Sequence, residues 1–343
     1  MVTKIGLDLG YANITLSDAT AGIYREPSVA LVNKNTRAVI SVGNSAVSGQ
    51  GGTSPDAMLV RPFKNGILFD SKITQGIINS AIVLILPVER LRCVVGVPND
   101  FHAKQEKELF GLLTEAGVKD CFSVTRSVAA LIGAGYSPSI SAISVNIGAS
   151  CTEISVMHGG AVILSGRGMV GGEDFDKAVK QYIYEQGDVS ISLSVARAIK
   201  EKLGAVWQGK PNESIDIEGT LSLTGNRVRM TITTDDIVGV FEEPLHKLLE
   251  AVANVVKKIP FELVESIFEN GIILTGGAAE LYGIETIMQK VLGINVTKPQ
   301  DAIDCVAKGL SRINNIIPEK TRAGNKNITS SLSKFYSDKN NKQ

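Results

Sequence analysis

At 343 residues, with 44% hydrophobic and 20% charged residues, the chain is long enough for two domains that each bury a core, and its makeup is that of an ordinary α/β protein. Its 35 Lys and Arg balance 35 Asp and Glu, which argues against a general nucleic-acid binder, because those need a basic excess to displace counterions. No apolar run reaches the roughly 18 residues that would span a bilayer.

The first three residues leave no room for a secretory signal before the first strand, so none is expected. Lys4 to Asp18, KIGLDLGYANITLSD, reads as an apolar strand ending at Asp8, a tight turn from Gly10 to Asn13, and an outgoing strand. Ser28 to Val32 and Ala38 to Val42 alternate like strands, and Gly49 to Pro55 is a loop with no apolar anchor. Arg61 to Asp70, with a Pro, an Asn-Gly turn and an outgoing strand, returns the chain from a small inserted subdomain. Ile73 to Leu86 has helical spacing, and Cys93 to Val97 is a buried strand closed by Pro98. Ala103 to Ala116 is an amphipathic helix carrying Gln105, Glu106 and Glu108 in its first turns, the two glutamates expected to face solvent. Strand Cys121 to Thr125 and a short helix, Val128 to Gly133, complete a half whose alternation predicts a largely parallel, helix-covered sheet.

Ile143 to Val156, ISVNIGASCTEISV, repeats the opening pattern: an apolar strand reaches Asn146, small residues turn from Gly148 to Cys151, and a second strand begins at Thr152. A turn almost free of side chains leaves its backbone N–H groups able to close on an anionic ligand. Two such hairpins, one opening each half, predict a duplicated fold that grips one phosphate chain from both sides. Strand Ala161 to Ser165 follows, then Gly171-Gly172 and a helix from near Glu173. Leu193 to Leu203 is helical, and Ile215 to Ile217 with Val228 to Ile232 flank a Thr224-Gly225-Asn226 turn. Asp235 is expected to cap a long helix to about Lys257. Gly271 to Thr275 is a buried strand running into Gly276-Gly277, with a helix from about Gly283.

These elements divide the chain into a first lobe, residues 1–140 with an insert at about 31–65, and a second, 141–317 with an insert at about 187–235. The last helix, about 303–316, is expected to pack back on the first lobe. Residues 318–343 carry six basic and two acidic residues without periodicity, and predict a disordered basic tail. Cys93, Cys121, Cys151 and Cys305 fit no zinc or disulfide spacing, which predicts a reducing cytoplasm; Cys151 reads as a packing residue rather than a nucleophile. His102, His158 and His246 lie in unrelated contexts, so no histidine metal site is expected.

From residue 4 to about 314 the motifs resemble, in register, the actin superfamily and within it the bacterial actin MreB family of rod-shape-determining proteins. They are DLGYAN at Asp8, EPSV at Glu26, RPFKNG at Arg61, VGVP at Val95, AALIGAG at Ala129, NIGASCTEI at Asn146, VGGEDFD at Val170, IKEKLG at Ile199, GIILTGGAAELYG at Gly271 and CVAKG at Cys305. The resemblance implies two lobes built on ribonuclease-H-like sheets, pivoting around a cleft for ATP or ADP. It implies that Gly10, Tyr11, Ala12 and Asn13 meet the phosphates from one side, and Gly148, Ala149, Ser150, Cys151 and Thr152, with Gly171 and Gly172, from the other. Asp8 would hold Mg²⁺ through water. Gly276, Gly277 and Ala278 would let adenine approach the backbone, Lys200 and Glu201 would reach base and ribose, and Gln105 would orient the attacking water near Asn146.

The departures from the family pattern bear on chemistry. Asn146 stands where Asp is usual, Ala149, Ser150 and Cys151 replace the usual glycines and Thr, and Tyr11 replaces a Thr. Gln105 stands for the usual bacterial Glu, and Thr125-Arg126-Ser127 for a Glu-Glu-Pro run. A positioned acid or base contributes about 10²- to 10⁴-fold, so the expectation is a filament subunit that binds nucleotide and hydrolyses it feebly or not at all. The divergence resembles that of specialised paralogues in wall-less helical bacteria, where such filaments serve shape and motility. Its implied partners are further copies of the chain, other members of the family, and an anionic membrane surface touched by the tail or by the apolar Leu84 to Val88 segment, with no nucleic acid. Plasmid-segregating and magnetosome-organising actins remain alternatives. A small-molecule kinase of the superfamily would need an acidic base where Asn146 stands, and a chaperone lobe a peptide-binding domain after residue 318.

Overall fold

The computed structural model describes residues 2–18, 22–49, 56–64, 67–68, 70–85, 88–318, 321 and 326–340. Residues 50–55 of the expected loop, the Asn65-Gly66 turn, and Leu86-Pro87 of the apolar segment lie outside the described residues.

Two sheets repeat one topology. In the first, Val2–Leu9 pairs antiparallel with Asn13–Asp18, which pairs antiparallel with Gly22–Pro27. On its other side Val2–Leu9 runs parallel to Arg90–Val97, and that strand parallel to Val118–Thr125. The second sheet repeats the order: Ala142–Ile147 pairs antiparallel with Thr152–His158, which pairs antiparallel with Ala161–Gly168. Ala142–Ile147 then runs parallel to Ile272–Thr275, and that strand parallel to Val296–Thr297. The central strands are buried on both faces, as continuous apolar runs such as Ile272–Thr275 require. A three-stranded sheet, Ala30–Asn33, Val39–Val42 and Ala57–Val60, is inserted in the first half. Another, Val189–Ser190, Ser214–Leu221 and Arg227–Thr233, is inserted in the second.

Helices Ser71–Val83 and Ala103–Glu115 cover one face of the first sheet, burying Ile73, Ile77, Leu109 and Leu113. Helices Gly172–Gly187, Leu193–Leu203 and Glu242–Val256 cover the second through Phe175, Val179, Ile199 and Leu248. Between the two sheets lies a shared core, in which Val94 and Phe122 of the first meet Ala142, Met157 and Ile273 of the second. It is filled by two helices, Arg126–Gly133 and Cys305–Ile316. They cross at Gly133 and Gly309 so closely that a Cβ on either would lie 1.7 Å from a backbone carbonyl oxygen of the other helix, Cys305 O and Ala129 O respectively. The later helix is also tied to the first sheet, Ala307 O accepting from Ser17 Oγ at 2.7 Å and Asn314 Nδ2 donating to Ile5 O at 2.8 Å.

Three expectations are corrected. The expected disorder of residues 318–343 does not hold for the described part: Lys326–Asn327 adds a sixth strand parallel to Val118–Thr125, and Leu332–Asn340 is helical. Ile328 and Leu332 are fully buried, and a sparse apolar set gathers with them through Phe335 and Tyr336, a stripe too short for periodicity to reveal. The helix expected from Asp235 instead starts behind Thr233, whose Oγ1 accepts from Asp236 N while Asp236 accepts from Thr233 N. It breaks into a 3₁₀ turn at Val238–Phe241, and the main helix restarts with Pro244 in its first turn, where a missing N–H costs nothing. Glu106 is not simply solvated: it is half-buried and accepts from the hydroxyl of Ser123, whereas Glu108 faces solvent as expected and accepts there from the hydroxyl of Ser71.

Candidate functional site: a cleft between two matched turns

The two hairpin turns close with the same bond. Gly10 N donates to Asn13 O at 3.0 Å, and Gly148 N to Cys151 O at 3.0 Å. Both turns line one cleft between the lobes, together with Asp8, Asn146, Gly172, Lys200, Glu201, Gly276, Gly277 and Ala278. The duplicated topology brings these residues together, because each turn ends the central strand pair of its own sheet. Such turns present backbone amides to an anion.

Behind the first turn the structure places a group whose role sequence reasoning missed. Arg126 opens a helix that is otherwise apolar or hydroxylic, RSVAALIG, and is 7% exposed. Its Nε donates to Asp8 Oδ1 at 2.7 Å and its Nη2 to Leu9 O at 2.8 Å. Nη1 lies 3.7 Å from Glu153 Oε1, a carboxylate on the outgoing strand of the second turn. Burial alone would lower the pKa of the guanidinium; Asp8 and Glu153 more than reverse that and hold it above its ordinary value. Burial likewise raises the Glu153 carboxyl, against the opposing pull of Arg126 and of Arg167, whose Nη2 lies 3.8 Å away. The sequence signal was available: a lone cation in a buried helix needs an anion within reach.

Mg²⁺ does not fit the residues present at Asp8. That carboxylate is already bonded to a guanidinium, Asn146 supplies no charge, and Glu153 sits between two arginines. Like charges about 4 Å apart repel by about 4 kcal/mol at an effective dielectric near 20, and a divalent cation beside a guanidinium by about twice that. Among the described residues no group of three His, Cys, Asp or Glu is arranged to hold a metal.

The opposite wall is built on Gly276, at φ 94°, where a Cβ would stand 2.4 Å from Ile147 O. Only glycine accommodates both that backbone and that approach. Asn146 Oδ1 accepts from Thr275 Oγ1 at 3.3 Å, which fixes the amide on the neighbouring strand. Lys200 reaches the cleft with its ammonium already engaged, 2.6 Å from buried Asp176 and 2.9 Å from Gly172 O. The Tyr11 phenol lies near the Glu173 carboxylate; burial first, and then that carboxylate, raise its pKa. Arg61 lies over the Tyr11 ring at 5.1 Å and donates to Tyr11 O at 3.0 Å, holding the first turn from behind.

Three predicted site residues are not brought into the cleft lining. Gln105 is a correction: its Oε1 accepts from His102 N at 3.2 Å, so the side chain caps the first turn of its own helix. Thr152 is fully buried, its hydroxyl donating to Val170 O at 2.8 Å. Gly171 stands behind the second turn as the helix cap, and the next two amides, of Gly172 and Glu173, are spent on Gly148 O and Ala149 O. Arg25, paired with Asp304, and Arg197, Thr15, Ile303 and Val306 line the cleft without having been anticipated. Cys151 is buried and its thiol pKa is raised by that burial, as suits a packing residue.

Comparison with known proteins gives a consistent result. The sequence profile of the family described as MreB/Mbl protein matches residues 2–322. The chain is 30% identical over 313 residues to the cell shape-determining protein Mbl of Bacillus cereus, covering 89% of this chain and 93% of that one. It is 28% identical over 316 residues to the cell shape-determining protein MreB of Escherichia coli, covering 89% and 91%. Among solved structures it is similar to MreB5 of Spiroplasma citri bound to ADP, with a TM-score of 0.86, 23% identity, and coverage of 92% of this chain and 97% of that one. It is also similar to MamK in a double helical filament, with a TM-score of 0.79, 20% identity, and coverage of 93% and 100%. The fold is therefore the actin-like fold of these bacterial proteins.

Proposed function

The chain belongs to the MreB/Mbl protein family, and from that premise we propose that it is a nucleotide-binding cytoskeletal subunit that polymerises with copies of itself in support of cell shape or motility. The observation that carries this is the pair of identically closed turns, Gly10 to Asn13 and Gly148 to Cys151, facing one cleft from the two halves of a duplicated fold. In this reading the turns take the phosphates of ATP or ADP, Gly276 to Ala278 take the base, and Glu201 faces the sugar. The ligand ties the lobes at one angle and so favours the conformation that polymerises. The division into lobes at about residue 140, and a cytoplasmic place in the cytoskeleton, go with this reading. No helix among the described residues is long and apolar enough to cross a membrane. In the apolar Leu84 to Val88 segment Leu84 is 56% exposed, beside Val83 at 61%, which supports a surface contact with a membrane.

Hydrolysis in this reading is weak. Gln105 is committed to its helix cap, Asn146 cannot serve as a base, and the Asp8 carboxylate is neutralised by Arg126. The test is sedimentation of the full chain with and without ATP, with phosphate release followed on the same samples. Nucleotide-dependent pelleting with almost no phosphate is the expected result. A chain that stays in the supernatant at all nucleotide concentrations refutes the filament reading, and turnover that keeps pace with polymerisation refutes weak hydrolysis.

A further inference from the structure

We propose that Arg126 is the resident counter-charge of the nucleotide's phosphates, so that this chain holds a nucleoside di- or triphosphate without a divalent cation. The inference rests on the nucleotide reading and goes beyond it, because a phosphate cleft ordinarily leaves that charge to a metal.

Four observations carry it. Arg126 lines the cleft shared by the two turns, within bonding distance of Asp8 at the end of the first central strand. The guanidinium is positioned rather than loose: Nε and Nη2 are fixed by Asp8 Oδ1 and Leu9 O, and the residue is 7% exposed. Nη1 makes no hydrogen bond among the described residues; its nearest anion is Glu153 Oε1 at 3.7 Å, beyond a hydrogen bond. Both Glu153 oxygens are buried and lack a hydrogen-bond partner among the described residues, so the pair is electrostatically matched and geometrically unsatisfied. The Nη1 donors are thus oriented, and ion-paired without being hydrogen-bonded, on a residue that lines the cleft.

A fixed guanidinium is suited to this task. Its planar fork meets two phosphate oxygens at once, it stays charged at every physiological pH, and it gives up its hydration more readily than an ammonium. Lys200, the other basic group the sequence pointed to, is held by Asp176 and the Gly172 carbonyl and has less freedom to serve. The same pairing works against a metal site, since a dication close to Asp8 would be repelled by the guanidinium bonded to its Oδ1.

Calorimetric titration of the full chain with ADP, and separately with a non-hydrolysable ATP analogue, in magnesium and in EDTA, tests the proposal. Replacing magnesium by EDTA should change the affinity less than about threefold, well under the tenfold that one strong contact provides. Arg126→Gln should weaken binding about 10- to 100-fold in EDTA, as expected for loss of a charge-assisted contact, with Arg126→Lys recovering part of it. Binding that needs magnesium and disappears in EDTA overturns the role of Arg126 and leaves the nucleotide reading standing. Absence of binding in both buffers overturns the nucleotide reading itself and this inference with it. Should Arg126→Gln fail to fold, the wild-type comparison of the two buffers decides alone.

Discussion

The two turns that face each other across the cleft share topology, register and closing bond, yet differ in what stands at the end of the strand that feeds them. In the first half that residue is Asp8, ion-paired to Arg126; in the second it is Asn146, neutral and bonded to Thr275. Duplication therefore preserved the backbone device and not the charge. Amides presented by a tight turn depend on local geometry that small residues secure, whereas the charge of a strand-end residue is free to change if a neighbour compensates. Arg126, reaching Asp8 from 118 positions away, is that compensation in the first half. In the second half the amide needs none. Among the described residues the halves differ again at their edges, the first sheet gaining a sixth strand from Lys326–Asn327 where the second has five strands.

Each difference can be removed. The largest effect is expected for Arg126→Gln, which leaves Asp8 and Glu153 without their shared cation in a buried setting. A loss of about 3–5 kcal/mol is expected, read as a lowered denaturant midpoint. Leu332→Ala loosens the segment that supplies the sixth strand; truncating this fully buried side chain should cost about 2–5 kcal/mol. If the segment were only a solvated tail, the unfolding midpoint would not move. Asn146→Asp gives the second turn the first one's residue without its guanidinium. Burial, with Asn146 8% exposed, would raise the folded pKa of the new carboxyl above its unfolded value. The variant should then match the wild type most closely below about pH 4 and fall behind by about 1–3 kcal/mol as pH rises through neutrality. Thermal melts at acid and neutral pH measure this, and a deficit larger in acid contradicts it. Tyr11→Phe removes the phenol that lies near Glu173, at a cost of about 0.5–1.5 kcal/mol. Its expected mark is a small drop in melting temperature and faster amide exchange around Tyr11, with the rest of the first sheet unaltered.

What the sequence determined by itself was the part of the fold that local pattern encodes. Period-two and continuous apolar runs marked the central strands, and Gly10 to Asn13 and Gly148 to Cys151 announced both turns, because backbone reversal without side chains is a property of a few adjacent residues. Sixteen of the residues singled out for the site line one cleft for the same reason. Tertiary structure alone decided the pairings between distant groups. Whether Gln105 faces a ligand or its own helix end depends on which acceptor its rotamer reaches, and it reaches His102 N. The basic tail read as solvated because four apolar residues are too few for periodicity, and only the groove against Phe122 and Ile317 makes their burial favourable. Arg126 stood in plain view as a departure from a family pattern, but its partner is chosen by the way the helix beginning there docks against the first strand. Side-chain charges act over several ångströms of folded space, and no window of neighbouring residues contains that information.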